Sequence, residues 1–456
     1  MRRAAARISL VVALLAASTY PGSAAAPDGG PPAKHFTLDN GLKVYLVVKK
    51  EVPLFNAVLA VNVGVKDETA DTRGLVHVLE HYILFRGTEK RTGSQVGREV
   101  REHGAYFNAH TGEDLAWFEI SVPAESAEFA LANQREIVFD LKITQAELDA
   151  EKDVVLEEIS QIEDDPFRYA TSLAFQNLFR GHPYEFPVYG DKDVIKTLEA
   201  GQLQEFHRRF FVSGNCSLAV VGDLGLDDME AMVRRVFGGL PAVPFESPRY
   251  EMAKALSKGV DLEVEMDVQK SYLVIAMPGP DLHNPDQYAV DLLAEIIGRG
   301  VSPMLYSALS GRRRLAETLS MSYQALRYGG AILIYISQDP RDLASAKREA
   351  VSFLKTAREV NYSRDDYFGD QQLRASDYLA GAKNQLRYKS YRAEEKGLSL
   401  AASLAGYLLL TEGAAAAPSY LESIDKVKSG DLRKAAGKYL SRSDFVIISI
   451  VPRKRS

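Results

Sequence analysis

Cysteine is nearly absent, with Cys216 alone in 456 residues. This excludes an internal disulfide framework and any cysteine-rich zinc module, and the setting Asn215-Cys216-Ser217-Leu218 fits a small core residue. Long apolar runs are missing as well, none approaching the ~18 residues of a membrane-spanning helix. Nor is there an excess of positive charge. Lys and Arg number 55 against 61 Asp and Glu, so the net charge of -6 provides no broad attraction for nucleic acid or anionic lipid. Histidine is scarce at 8 residues, which makes any histidine cluster informative. The remainder, 46% hydrophobic and 25% charged, is the composition of a globular protein with room for two or three domains.

Residues 1–26 read as a secretory leader. Arg2, Arg3 and Arg7 form a basic start, Ile8 to Ala17 an apolar stretch and Ser23-Ala24-Ala25-Ala26 a small-residue cleavage zone, so an exported chain, periplasmic or secreted, is expected. Strand signals follow at Leu42 to Val48 and Ala57 to Val63, then helical periodicity at Gly74 to Phe85, Gln95 to His103, Ala124 to Asp140 and Gln145 to Ile162. Blocks of strands alternating with helices predict an α+β fold. Val194 to Val221 can be laid over Ser423 to Ile450 without a gap at an offset of 229 residues. Each copy reads as a helix ending in aromatics, a polar turn and a hydrophobic strand, which predicts two copies of one unit. Proline-rich Gly239 to Pro248 marks the seam, giving a first lobe over 34–240, a linker over 241–257 and a second lobe over 258–456.

The sharpest local signal is His77-Val78-Leu79-Glu80-His81, an HxxEH pattern within a helical stretch. Histidines at i and i+4 share a face, so both imidazoles can reach one metal, and Glu80 at i+3 lies beside them and can hold the metal-bound water. The bland alternative makes all three helix-surface residues. A hydrolytic zinc site needs a third protein ligand, and Glu158 is the best candidate. It shares a helical face with Glu151, seven residues earlier, with Val154 and Val155 between them; carboxylates on an apolar stripe point inward and need a cation or a proton. Glu151 then orients a histidine or the water. The alternative is an acidic, solvated helix like its neighbours Glu147, Asp149 and Glu163.

With Gly74-Leu75, HxxEH, Phe85, Gly87-Thr88, Glu151 and Glu158 in order, and further matches at Asn108 to Thr111, Gly181 to Tyr184, Phe206 to Phe211 and Val220 to Asp223, the mature chain resembles the insulinase and pitrilysin family of zinc metallopeptidases. It is most similar to the short two-domain subfamily that includes mitochondrial processing peptidase. The resemblance implies two homologous lobes, each a mainly antiparallel sheet covered by helices, facing each other across a chamber. It implies one Zn²⁺ per chain on His77, His81 and Glu158, with Glu80 as general base. It also implies an extended peptide substrate pairing with an edge strand at Asn108, Ala109 and Thr111.

Two departures qualify this resemblance. Adding 229 to the motif positions gives Tyr306 to Ser310, which carries no ligands. Active relatives also place an arginine and, seven residues later, a tyrosine in the second lobe to hold the substrate carbonyl and oxyanion; here Ser310 and Glu317 stand there, with Arg312, Arg313, Arg314 and Tyr323 close by. The resemblance therefore implies a zinc endopeptidase whose partner, a paralogous two-lobe subunit bearing the Arg/Tyr pair or a second copy of this chain, completes the site. The competing class is a binding or scaffold subunit that cleaves nothing. The retained Glu80 speaks against it.

Overall fold

The structure, a computed structural model, describes residues 31–453 apart from 255, 301–302, 311–313, 361, 363–364, 369–370 and 412–419, so the leader-like residues 1–26 and Arg312 and Arg313 lie outside it. In the first half, β1 (Ala33–Thr37), β2 (Lys43–Val48), β3 (Leu54–Val61), β4 (Tyr106–Thr111), β5 (Ala116–Pro123) and β6 (Cys216–Gly222) form a sheet ordered β1-β2-β6-β3-β5-β4. In the second, β7 (Val260–Met266), β8 (Ser271–Pro278), β9 (Thr318–Leu326), β10 (Gly329–Gln338) and β13 (Val446–Pro452) are ordered β7-β13-β8-β10-β9, while β11 (Asp365–Phe368) and β12 (Gln371–Arg374) pair as a separate ribbon. Each large sheet has one parallel pair, β2 with β6 and β7 with β13, and is otherwise antiparallel. The α+β architecture is thus one topology used twice.

The helices are α1 (Leu75–Phe85), α2 (Gly93–Glu102), α3 (Ala127–Phe139), α4 (Gln145–Asp164), α5 (Pro166–Leu178), α6 (Lys192–Thr197), α7 (Ala200–Phe210) and α8 (Leu226–Phe237) in the first half. In the second they are α9 (Gln287–Ala294), running into a π turn at Glu295–Arg299, then α10 (Met304–Ser310), α11 (Leu343–Thr356), α12 (Ala375–Glu395), α13 (Gly397–Leu410), α14 (Tyr420–Lys426) and α15 (Ser429–Ala435). This order corrects one sequence expectation. The 229-residue offset fits α7 and β6 onto α15 and β13, but β3 and β8 begin at 54 and 271, so a fixed offset fails earlier in the lobe. Tyr306 to Ser310 lies in α10, which precedes β9 as α2 precedes β4. The counterpart of α1 is α9 with its π turn, where Asp291 and Glu295 stand four apart, and it contains no histidine. Both acids are already engaged: the Tyr420 hydroxyl donates to Asp291 at 2.9 Å and Lys389 Nζ to Glu295 at 2.6 Å.

One face of the first sheet packs on helices of its own half, with Leu46, Phe55, Leu59 and Ile120 meeting Leu79, Ile137, Val155 and Phe210. The opposite faces are covered by exchange. Ala170, Ala174, Phe175 and Leu178 of α5 pack on Val274, Ala276, Ile448 and Ile450 of the second sheet. Ala401, Leu404, Ala405 and Leu408 of α13 pack on Tyr45, Val47, Val58 and Val221 of the first. Alanines at the contacts let each helix lie close to its sheet, and the Ser217 hydroxyl donates to Ala405 O at 2.7 Å. Burying each large aliphatic side chain contributes about 1.5–3 kcal/mol, so the exchange ties the lobes together strongly. Cys216 is fully buried in the first core, and burial pushes its thiol well above the ordinary range.

Candidate metal centre

Helix α1 carries the HxxEH residues, and its start is held in three ways. Gly74 adopts a left-handed φ of 92° and faces Gly190, φ 93°, so closely that a Cβ on either would meet the other's Cα within 2.7 Å. Glu68, buried, accepts from Gly74 N and Val76 N at 2.9 Å each, satisfying N–H groups of the first turn. The Gly74–Gly190 contact also brings the carbonyl of Tyr189 to the first histidine: His77 Nδ1 lies 3.2 Å from Tyr189 O. A carbonyl only accepts, so Nδ1 carries the proton and Nε2 is left with its lone pair.

The same logic orients the second histidine. Helix α4, with Thr144 as N-cap, buries Leu148, Glu151, Val155, Ile159 and Ile162 against the core. His81 Nδ1 lies 3.1 Å from Glu151 Oε1, whose other oxygen accepts from Arg86 Nε at 2.6 Å. Both Nε2 atoms face Glu158, with His81 Nε2 at 3.1 Å from Oε2 and His77 Nε2 at 3.8 Å. One ligand atom from each of His77, His81 and Glu158 lies within 4.8 Å of the others. Val154, between the two glutamates on α4, departs from expectation: it is 50% exposed rather than packed, and Phe85 is 48% exposed. The acidic face of α4 therefore opens to solvent beside the histidines.

Electrostatics favour a cation here. For His81 burial opposes charge, but the hydrogen bonds to Glu151 and Glu158 and the nearby Glu80 outweigh it and push the imidazole up to about 10. For His77 burial and the neighbouring His81 push downward. Burial pulls Glu158 up, and the histidines with Arg168 overcome this and hold it below the usual carboxylate value. Two imidazole nitrogens and a carboxylate, with both Nδ1 atoms engaged behind them, form the donor set suited to zinc, so the residues fit that ion.

Glu80, on the same helix, accepts from the Thr111 hydroxyl at 2.6 Å, and its other oxygen has no hydrogen bond among the described residues. Thr111 ends β4, the edge of the first sheet. Of the residues expected to meet peptide, Ala109 turns its side chain into the core and pairs with Phe118 through β5, while Asn108 Nδ2 donates to the Tyr106 hydroxyl at 3.3 Å on the opposite face. The backbone of β4 thus remains as the contact available to an added strand. Sequence reasoning missed Tyr189, Arg86, Glu68 and the Thr111–Glu80 bond; only the last had a local cue, a hydroxyl residue within the Asn-Ala-x-Thr segment.

In the second lobe Ser310 donates to Ala316 O at 3.3 Å, and exposed Glu317 pairs with Lys270. Tyr323 does not replace the missing tyrosine. It is buried, and its hydroxyl donates to Pro280 O at 2.9 Å.

This chain and its fold match known proteins. The family model described as insulinase, peptidase family M16, matches residues 44–192, and that described as the peptidase M16 inactive domain matches 197–366. The chain belongs to peptidase family M16. A protein named uncharacterized zinc protease from Rickettsia bellii is 25% identical over 89% of this chain and 94% of its own length; another from Mycobacterium leprae is 27% identical over 66% and 67%. The crystal structure of a protease from Helicobacter pylori shares the fold with a TM-score of 0.83 at 22% identity, covering 92% of this chain and all of that one. A peptidase M16 inactive domain structure from Pseudomonas fluorescens has a TM-score of 0.79 at 21% identity, over 93% and 99%.

Proposed function

We propose that the chain is a zinc-dependent endopeptidase acting on extended peptides. The observation that carries this reading is the convergence of His77 Nε2, His81 Nε2 and Glu158 beside a Glu80 carboxylate with one unengaged oxygen. His77, His81 and Glu158 would hold one Zn²⁺, which supplies a Lewis acid for the scissile carbonyl and acidifies water. Tyr189 O and Glu151 keep the two imidazoles in the ligating tautomer. Glu80 takes the proton from the attacking water, and the Thr111 hydroxyl fixes the carboxylate so that its second oxygen faces that task. An extended substrate adds to the free edge of β4, where main-chain bonding accepts varied sequences.

Glu317, turned to Lys270, contributes nothing to an anionic transition state, and removing one oxyanion donor from a hydrolase costs about 100- to 1,000-fold. The reading therefore includes a partner, a related two-lobe chain bearing the Arg/Tyr pair, with a second copy of this chain as the other arrangement. The test is peptide cleavage by the zinc-loaded chain, alone and mixed with such a paralogue, beside Glu80→Gln. Expected are weak turnover alone, a rise on mixing, and retained zinc with turnover lost in Glu80→Gln. Near-normal cleavage by Glu80→Gln overturns the catalytic assignment. Full turnover by the isolated chain, unchanged on mixing, overturns the partner.

A further inference from the structure

We propose that Arg168 forms a carboxylate-binding subsite beside the metal centre, selecting an acidic side chain or a terminal carboxylate in the bound peptide; this rests on the peptidase reading. Helix α5 has two faces. Phe167, Ala170, Ala174 and Leu178 face the second sheet, with the Phe167 ring 5.0 Å from Tyr272 and 5.7 Å from Tyr335. Arg168 and Ser172, four apart, share a different face. Ser172 lies near the phenol of Tyr189, the residue whose carbonyl meets His77. One turn earlier on that face, the guanidinium of Arg168 lies within electrostatic reach of Glu158.

The guanidinium forms no ion pair or side-chain hydrogen bond among the described residues, and its Nε is buried without a hydrogen-bond partner. The other two buried guanidinium nitrogens in that condition belong to side chains otherwise engaged: Arg73 stacks 4.1 Å from the Phe186 ring and Arg299 Nε donates to Met321 O at 2.6 Å. None of the acids nearest in sequence pairs with the Arg168 guanidinium. Asp165 accepts from Phe167 N and Arg168 N as the cap of α5, Glu163 pairs with Lys192 at 2.5 Å, and Asp164 is exposed. Glu158 belongs to the histidines. Leaving a partly buried guanidinium unpaired is costly, whereas its planar fork takes a carboxylate through two parallel hydrogen bonds. A ligand carboxylate is the missing partner.

The experiment measures binding of fluorescein-labelled neutral decapeptides to the full-length, zinc-loaded Glu80→Gln chain, which holds peptide without cleaving it. Asp or Asn is scanned through each position, with the C-terminus free or amidated, and the set is repeated with Arg168→Gln and Arg168→Glu added at equal zinc content. Expected is tighter binding of the carboxylate-bearing peptide by on the order of 10- to 100-fold, lost in Arg168→Gln and inverted toward Lys-bearing peptides in Arg168→Glu. Sensitivity to Asp→Asn identifies a side-chain carboxylate, and sensitivity to amidation a terminal one. A preference that survives Arg168→Glu, or equal binding of all peptides, overturns the subsite alone. Failure of every peptide to bind overturns the peptidase reading and the subsite with it.

Discussion

Replacing Glu151 by Gln tests how the centre is built from behind. The carboxylate is 2% exposed and serves two donors, His81 Nδ1 at 3.1 Å and Arg86 Nε at 2.6 Å. An amide has one acceptor atom for these two donors. If its oxygen turns to His81, the amide NH₂ faces the Arg86 guanidinium and a buried charge loses its partner. If the oxygen turns to Arg86, the NH₂ faces Nδ1, which favours the tautomer with the proton on Nε2 and blocks the lone pair that a metal needs. Either outcome should weaken zinc binding about 10- to 100-fold, the usual effect of altering the group behind a ligating histidine, or about 1.4–2.8 kcal/mol. Competition against a chromophoric chelator at fixed pH measures this, with urea unfolding of the metal-free forms as the control for global damage. Removing the competing donor as well, in Glu151→Gln with Arg86→Gln, should recover part of the affinity, since the two sites share one partner. Zinc affinity in Glu151→Gln within twofold of the parent would refute the reasoning.

The His77→Ala, His81→Ala double variant should bind no zinc at one equivalent; a full equivalent by elemental analysis sinks the ligand assignment. Glu68→Ala removes two buried hydrogen bonds to the start of α1 and should cost about 2–4 kcal/mol in urea unfolding, a loss below 0.5 kcal/mol contradicting its capping role. Burial, which outweighs the bonds from Gly74 and Val76, pushes Glu68 from the ordinary 4.5 up to about 8. Such an acid keeps its proton in the folded chain after losing it in the unfolded one, so its stability contribution declines as pH rises from about 4.5 to about 8. Glu68→Gln, which cannot ionise, should therefore gain on the parent between pH 5 and 8.5; parallel stability–pH curves would reject the shift.

The histidine pair was legible because its geometry is local: positions i, i+3 and i+4 of one helix need no knowledge of the fold. Glu158 was legible through its helical spacing from Glu151, but the stripe supposed to bury it was misread, since Val154 faces solvent while Leu148, Val155 and Ile159 face the core. Tyr189 and Arg86 left no pattern because a backbone carbonyl carries no sequence signature and an arginine beside a glutamate far along the chain has no periodicity. The repeat was visible where the two lobes keep equal lengths, at the helix and strand closing each, and lost register where they do not. The exchange of α5 and α13 was invisible for a simpler reason. An alanine-rich apolar face shows that a helix is covered, not which sheet covers it.

That exchange bears on what the second lobe does. Its counterpart of α1 contains no histidine, and its acids Asp291 and Glu295 are bound by Tyr420 and Lys389 respectively, so it offers no second centre of the same kind among the described residues. Yet α5 follows α4 across a single residue, Asp165, and its apolar face lies on β8 and β13. The second sheet is therefore the surface against which α5, and with it Arg168 and Ser172, is positioned. In return, α13 covers β2, β3 and β6 behind the first core. The second lobe is thus part of the support of the candidate metal centre: a loosening of α5 on Tyr272 and Tyr335 would move the groups around Glu158 before it disturbed the HxxEH helix itself, whose own anchors, Glu68 and Gly190, lie wholly in the first lobe.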